Sequence, residues 1–132
     1  MQRAALGLLA TREHSRGELA RKLAARGFAE GEIRAALDAL ADAGLIDEDR
    51  LAEAYVAERL RKGFGPLRIR QELRAKGLSD EQIAPHLRLA QADLLGLLAA
   101  AHDKRFGRAA APDGRERARR GRFLEYRGFP AD

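Results

Sequence analysis

The sequence predicts an all-α protein built from a repeated helical unit, and three observations lead there. A leucine, three residues, a glycine and a large apolar residue recur as Leu23 to Gly27-Phe28, Leu73 to Gly77-Leu78 and Leu124 to Gly128-Phe129, the glycines 50 and 51 residues apart. Self-similarity at a fixed period marks a repeated structural unit. No stretch alternates with period two, and β-branched residues are scarce where Ala, Leu, Arg and Glu dominate, which favours helix over strand. Helix start and stop residues also recur in the same order in successive units.

In the first unit Ala5, Leu8 and Leu9 stripe a helix over about residues 2–12. Ser15 and Glu18 have the spacing of a capping box and open a second helix, with Leu19 and Leu23 facing inward. Gly27 ends it, because glycine accepts the left-handed conformation of a C′ residue, and Phe28 supplies the apolar contact that accompanies such an end. Ile33, Leu37 and Leu40 stripe a third helix, closed by Gly44. In the second unit Asp47, Glu48 and Asp49 fall at an N-cap and first turn, and Leu51, Tyr55, Val56 and Leu60 point inward. Gly63-Phe64-Gly65-Pro66 is a turn with Pro66 suited to a first helical position. Ile69 and Leu73 repeat Leu19 and Leu23, Gly77-Leu78 is a stop, and Ser79 with Gln82 is a second capping box before Ile83 and Leu87. Pro85, early in that helix, is expected to bend it.

The third unit starts with Leu94, Leu95, Leu97 and Leu98 and ends its first helix at Phe106. A loop with Pro112 and Asp113 leads into an arginine-rich helix, where Arg120 takes the place of Leu19 and Ile69. Only three residues follow Phe129, so this unit is expected to lack its third helix. The expected modules are residues 1–46, 47–90 and 91–132.

Charge is unevenly placed. Residues 1–103 hold sixteen Lys/Arg and sixteen Asp/Glu, whereas 104–132 hold nine against four, so the whole net charge of +5 lies in the last stretch. A second basic set (Arg59, Arg61, Lys62, Arg68, Arg70, Arg74 and Lys76) faces only Glu58 and Glu72 within 58–77. Together with Arg117, Arg120 and Arg127 these are the candidate contacts for a polyanion or an acidic protein surface, since a guanidinium pairs bidentately with phosphate or carboxylate. Arg70 and Arg74, one turn apart, are expected to reach outward together. The competing reading is that Glu72 and nearby acids pair with these bases as ordinary surface ion pairs.

Other chemistry finds little footing. There is no cysteine, which excludes disulfides and thiolate chemistry, and the three histidines have no metal-ligand spacing. No apolar run approaches membrane-span length and Met1-Gln2-Arg3-Ala4 is no secretory signal, so a cytoplasmic protein without a membrane partner is expected. Asp47, Glu48 and Asp49 are consecutive and cannot all face one ion. Gly63-Phe64-Gly65 lacks the Lys-Ser/Thr of a nucleotide loop. No nucleophile sits beside a base, so no catalysis, cofactor or small-molecule substrate is expected.

The run Gly44-Leu45-Ile46-Asp47-Glu48-Asp49-Arg50-Leu51-Ala52-Glu53-Ala54-Tyr55-Val56, then Arg59, Gly65-Pro66 and Ile69 through Gly77, closely resembles the RecX family of bacterial recombination regulators. The opening Ala5 to Leu9 with Ser15 to Leu19, and the ending Arg122 to Phe129, resemble it too, so the likeness covers nearly the whole chain. It implies three tandem three-helix modules in an elongated curved array, here with the third module short of a helix. It also implies a non-enzymatic regulator of DNA recombination, repair and the SOS response. Its partner would be the RecA–single-stranded DNA filament, bound in the helical groove, with filament growth, ATPase and strand exchange inhibited and direct contact with the DNA strand open. The alternative is a tandem helix-turn-helix-like DNA-binding module acting without a recombinase. Against that alternative, Glu30, Glu32, Asp38 and Asp42 leave the first unit without a uniformly basic recognition helix.

Overall fold

The fold is that of a computed structural model, which describes residues 1–131; Asp132, the last residue of the third expected module, lies outside them. Eight helices follow in order: α1 (Gln2–Thr11), α2 (Arg16–Ala25), α3 (Glu30–Asp42), α4 (Glu48–Arg61), α5 (Pro66–Ala75), α6 (Asp80–Ala92), α7 (Leu94–Phe106) and α8 (Gly114–Tyr126). No strand occurs among the described residues.

The starts and stops expected from sequence shape these helices. Ser15 and Ser79 each form a complete capping box, with Glu18 and Gln82. The Asp47 carboxylate accepts from the Arg50 N–H, and Pro66 stands in the first turn of α5. At the far ends Gly27, Gly77 and Gly128 adopt φ of 91°, 99° and 102°. Each is followed by an apolar residue whose N–H reaches back to the third-last helical carbonyl: Phe28 to Leu23, Leu78 to Leu73, Phe129 to Leu124. This double closure satisfies carbonyls that the helix end would otherwise orphan, and it needs glycine because a Cβ disfavours positive φ. Pro85 does not interrupt its helix: α6 runs on to Ala92 with Pro85 on its exposed face.

The first two units each have their own core. Ala5, Leu19, Leu23, Ile33, Leu37, Leu40 and Ile46 form one. Leu51, Ala52, Val56, Ile69, Leu73, Leu78, Ile83 and Leu87 form the other, with Tyr55, Leu60 and Phe64 packed against it. In both, a striped third helix (α3, α6) lies on the middle helix (α2, α5). Beyond α6 the pattern thins. α7 and α8 pack on each other, but the third unit buries only Ala101 and Phe129 among its apolar side chains. Phe106 and Phe123 meet edge to face with centroids 5.3 Å apart. Where α3 and α6 lie in the other units, an open groove of about 380 Å³ is lined by Leu94, Leu95, Leu98, Leu124 and Phe129. Leu95 is left 78% exposed.

Consecutive units join by one construction used twice. The Ser15 hydroxyl, at the start of α2, donates to the Lys76 carbonyl at the end of α5. Fifty residues on, the Gly65 N–H at the start of α5 donates to the Arg127 carbonyl at the end of α8 (2.7 Å), and the Leu67 N–H to the Gly128 carbonyl (3.0 Å). The donor end of one middle helix thus meets the acceptor end of the next, and each supplies what the other leaves unsatisfied.

The side chains around the two junctions differ in charge. At the first, the Glu18 carboxylate accepts from the Ser15 N–H (3.0 Å), from Arg12 (3.2 Å) and from Lys76 (3.2 Å). Burial opposes its charge, but these three donors outweigh it and hold the carboxyl at about 2, against an ordinary 4.5. Buried His14 donates from Nδ1 to the Arg12 carbonyl (3.1 Å) and accepts at Nε2 from the Lys22 ammonium (2.8 Å). Since a carbonyl only accepts and an ammonium only donates, the ring is the neutral Nδ1–H tautomer. Burial depresses its pKa, and the charges of Arg12 and Lys22 add to that. At the second junction Phe64 stands in place of His14, Arg68 in place of Glu18 and Glu72 in place of Lys22.

Candidate functional site

Of the ten sequence-nominated bases, three converge at the second junction. Phe64, carried by the turn after α4, has the Arg59 guanidinium over its ring at 3.6 Å, Arg127 at 4.4 Å and Arg68 at 4.9 Å. Arg59 comes from α4, Arg68 from α5 and Arg127 from the end of α8, so the cluster bridges two units. Its one acid is Glu72, which accepts two hydrogen bonds from Arg59 (2.9 and 2.8 Å), one from the Tyr55 hydroxyl (2.9 Å) and a longer one from Arg68 (3.4 Å). Burial works against the Glu72 charge, yet Arg59 and Tyr55 hold its pKa below the ordinary value. Tyr55 is pushed up to about 12, first by burial and then by that bond to Glu72, so its hydroxyl keeps its proton. Arg68 also donates to the Tyr126 carbonyl (3.1 Å) and Arg127 to the Lys62 carbonyl (3.1 Å).

The remaining nominees divide. Arg74 makes a two-pronged bond to Asp80 (2.6 and 3.0 Å), Lys76 is tied to Glu18, and Lys62 pairs with Glu58 at 2.8 Å. Arg120 turns inward, its side chain only 12% exposed. There it bonds Glu116 (3.1 Å) and the Ala109 carbonyl (2.9 Å) and stacks on Phe106, so an arginine fills a place that leucine and isoleucine fill in the other units. Arg61, Arg70 and Arg117 carry no ion pair among the described residues. Arg70 and Arg74 therefore do not act as a free pair: Asp80 holds one of them.

Two bases that sequence reasoning passed over complete the picture. Lys104 and Arg105, in the last turn of α7, face the end of α4: Lys104 donates to the Arg61 carbonyl at 3.3 Å, and Arg105 lies over Phe123 at 5.3 Å. Their adjacency at a helix end was the available signal, but only the fold reveals that they meet Lys62 and Arg127. Chemically, the surface from α4 through α7 to Arg127 offers guanidinium and ammonium donors to an anion. It holds no nucleophile paired with a base.

Comparison with known proteins follows the same divisions. The family description "RecX, first three-helix domain" matches residues 3–40, and "RecX, second three-helix domain" matches residues 47–87. The chain is 49% identical over 129 residues to the regulatory protein RecX of Halorhodospira halophila, covering 98% of this chain and 80% of that one. It is 47% identical over 132 residues to the regulatory protein RecX of Pseudomonas savastanoi pv. phaseolicola, covering 100% of this chain and 85% of that one. A crystal structure of regulatory protein RecX superposes with a TM-score of 0.78 at 27% identity, over 98% of this chain and 68% of that one. RecX from Lactobacillus salivarius superposes at 0.76 and 25% identity, over 98% and 86%. No helix among the described residues is long and apolar enough to cross a membrane. Two domain matches, relatives near half identity along the whole chain, and a shared three-dimensional plan make this protein a member of the RecX family.

Proposed function

We propose that this protein binds a RecA–single-stranded DNA filament and restrains its growth, ATP turnover and strand exchange, without catalysing a reaction itself. The observation that carries the reading is the convergence of Arg59, Arg68 and Arg127 on one ring between two units, with a single acid among them. Modules of residues 1–46, 47–90 and 91–132, joined end to end, would spread weak contacts along a polymer and gain avidity without a deep pocket. The contact surface is assigned to the basic set of the second unit and to Arg117 and Arg127, whereas Arg120, expected there from the sequence, is turned inward against Glu116 and Phe106. Among the described residues Arg61, Arg70 and Arg117 are the members that carry no ion pair, and Arg59 with Arg68 shapes the junction.

Titrating the protein into a RecA–DNA reaction at constant salt checks this. ATPase and strand exchange should fall as the protein approaches the stoichiometry of the filament. Arg61→Ala with Arg70→Ala should weaken inhibition more than Arg74→Ala, whose partner is Asp80. Unchanged ATPase and strand exchange at stoichiometric protein would sink the reading. Duplex binding far tighter than single-strand binding, without recombinase, would favour the helix-turn-helix alternative.

A further inference from the structure

We propose that the cleft between the C-terminal end of α4 and the α7/α8 pair is a phosphate site that takes a backbone phosphodiester of a single-stranded polynucleotide. The cleft has a volume of about 170 Å³, and its lining brings together Lys62, Lys104, Arg105 and Arg127 with no carboxylate among them. That volume equals roughly six water molecules at ~30 Å³ each, room for one phosphate group with some of its hydration. Gly63, at φ 88°, keeps the wall bare: a Cβ there would stand 3.7 Å from the Ala101 Cβ and 4.0 Å from the Arg127 guanidinium. Phe123 forms the floor, with Arg105 at 5.3 Å and Arg127 at 4.8 Å from its ring.

The ordinary reading is that these cations cap a helix. Lys104 does donate to the Arg61 carbonyl, and Arg127 to the Lys62 carbonyl. Charge decides between the readings. A helix C-terminus carries about half an elementary negative charge; α4, α7 and α8 all end beside the cleft, and Glu58, next to Lys62 at 2.8 Å, adds one more. Four cations exceed that sum of about 2.5 negative charges. Donors are also in surplus: a guanidinium has five N–H groups and an ammonium three, and Lys104 and Arg127 are each seen to donate once, to a carbonyl. Exposed Arg61, whose carbonyl Lys104 meets, adds a further cation at the same helix end, which suits a polymer better than a lone anion.

The inference rests on the filament reading for its biological setting, but its test leaves the recombinase out. Binding of fluorescein-labelled oligo-dT to the full chain is followed by anisotropy over a range of salt concentrations, comparing the parent with Lys104→Gln/Arg105→Gln. The double variant should bind at least about fivefold more weakly. The slope of log K against log salt should shrink by ~0.7 for each phosphate that the variant no longer neutralises. Arg105→Lys should keep most of the slope, and Arg34→Gln, an exposed α3 residue paired with Glu30, should change nothing. Both altered residues are exposed, and circular dichroism confirms the fold of each variant. An unchanged slope in the double variant overturns the proposal. So does side-chain NMR in which inorganic phosphate at millimolar concentration shifts Lys104 and Arg105 as strongly as the oligonucleotide does, because that marks a small-anion site. Loss of filament inhibition with oligo-dT binding intact also overturns it, since the cleft would then meet an acidic protein surface. If oligo-dT binding depends on the cleft while RecA turnover stays unaffected, the cleft stands and the filament reading falls.

Discussion

Replacing Gly65 with alanine isolates what holds the second and third units together. Gly65 has φ of −96°, which alanine adopts freely, so backbone strain plays no part. Its added methyl would, however, stand 2.5 Å from the Gly128 carbonyl oxygen, 2.6 Å from that carbonyl carbon and 2.9 Å from the Phe129 ring. Two of these neighbours are main chain and cannot rotate away, so the end of α8 must retreat. Retreat gives up the Gly65-to-Arg127 and Leu67-to-Gly128 bonds. At about 0.5–1.5 kcal/mol each, net of water, the loss is about 1–3 kcal/mol, a roughly 5- to 150-fold rise in the opening equilibrium. Amide hydrogen exchange reads this locally. Protection across α8 should drop by that factor, while α2 and α3 change less than about twofold. Gly17→Ala is the matched control at the first junction: the nearest atom to its new methyl is the Lys76 oxygen at 3.4 Å, an ordinary contact, so α5 protection should hold. Equal protection of α8 in Gly65→Ala and parent would refute the close-approach account.

Acid should loosen the first junction before the cores. Glu18 titrates at about 2 in the fold and near 4.5 without it, so its contribution is complete above the higher value and disappears as pH falls toward the lower. That contribution is on the order of 3 kcal/mol. Thermal melts at pH 7 and pH 3 should differ markedly less in Glu18→Gln than in the parent. His14 pulls the same way, because its lowered pKa means that stability declines once pH drops below about 6.5, where the unfolded ring takes a proton. Leu73→Ala should cost about 2–5 kcal/mol, as for other fully buried leucines. Leu124→Ala, at the equivalent but half-buried place, should cost less than half as much in urea titrations, and equal costs would show that the α7/α8 groove is covered.

The repeat was legible because its markers are local. A capping serine, a glycine at positive φ and the leucine four residues before it act within one turn, so Ser15, Gly27 and Leu23 announce themselves without tertiary knowledge. The ion pairs were legible only in part. Glu72 was foreseen as a partner for the second-unit bases, but the capture of Arg74 by Asp80 depends on how α5 meets α6. Arg120 looked like a surface charge because its neighbours in sequence are basic, and only the packing of α8 on Phe106 turns it inward. Lys104 and Arg105 escaped notice for the same reason. Their partners, Lys62 and Arg127, lie at distant points of the chain, and proximity across such separations leaves no trace in local pattern.

Because the units abut at helix ends, where a main-chain carbonyl meets the Ser15 hydroxyl at one junction and peptide N–H groups at the other, their spacing behaves as a ruler whose marks are helical turns. Side chains that make none of these bonds can vary widely without moving those marks, as the exchange of His14 for Phe64 and of Glu18 for Arg68 illustrates. Residue number cannot vary so freely: one residue inserted in α5 would advance its far end by ~1.5 Å and swing it by ~100°. Insertions should therefore be absorbed in the 107–113 segment ahead of α8, where added length leaves every mark in place.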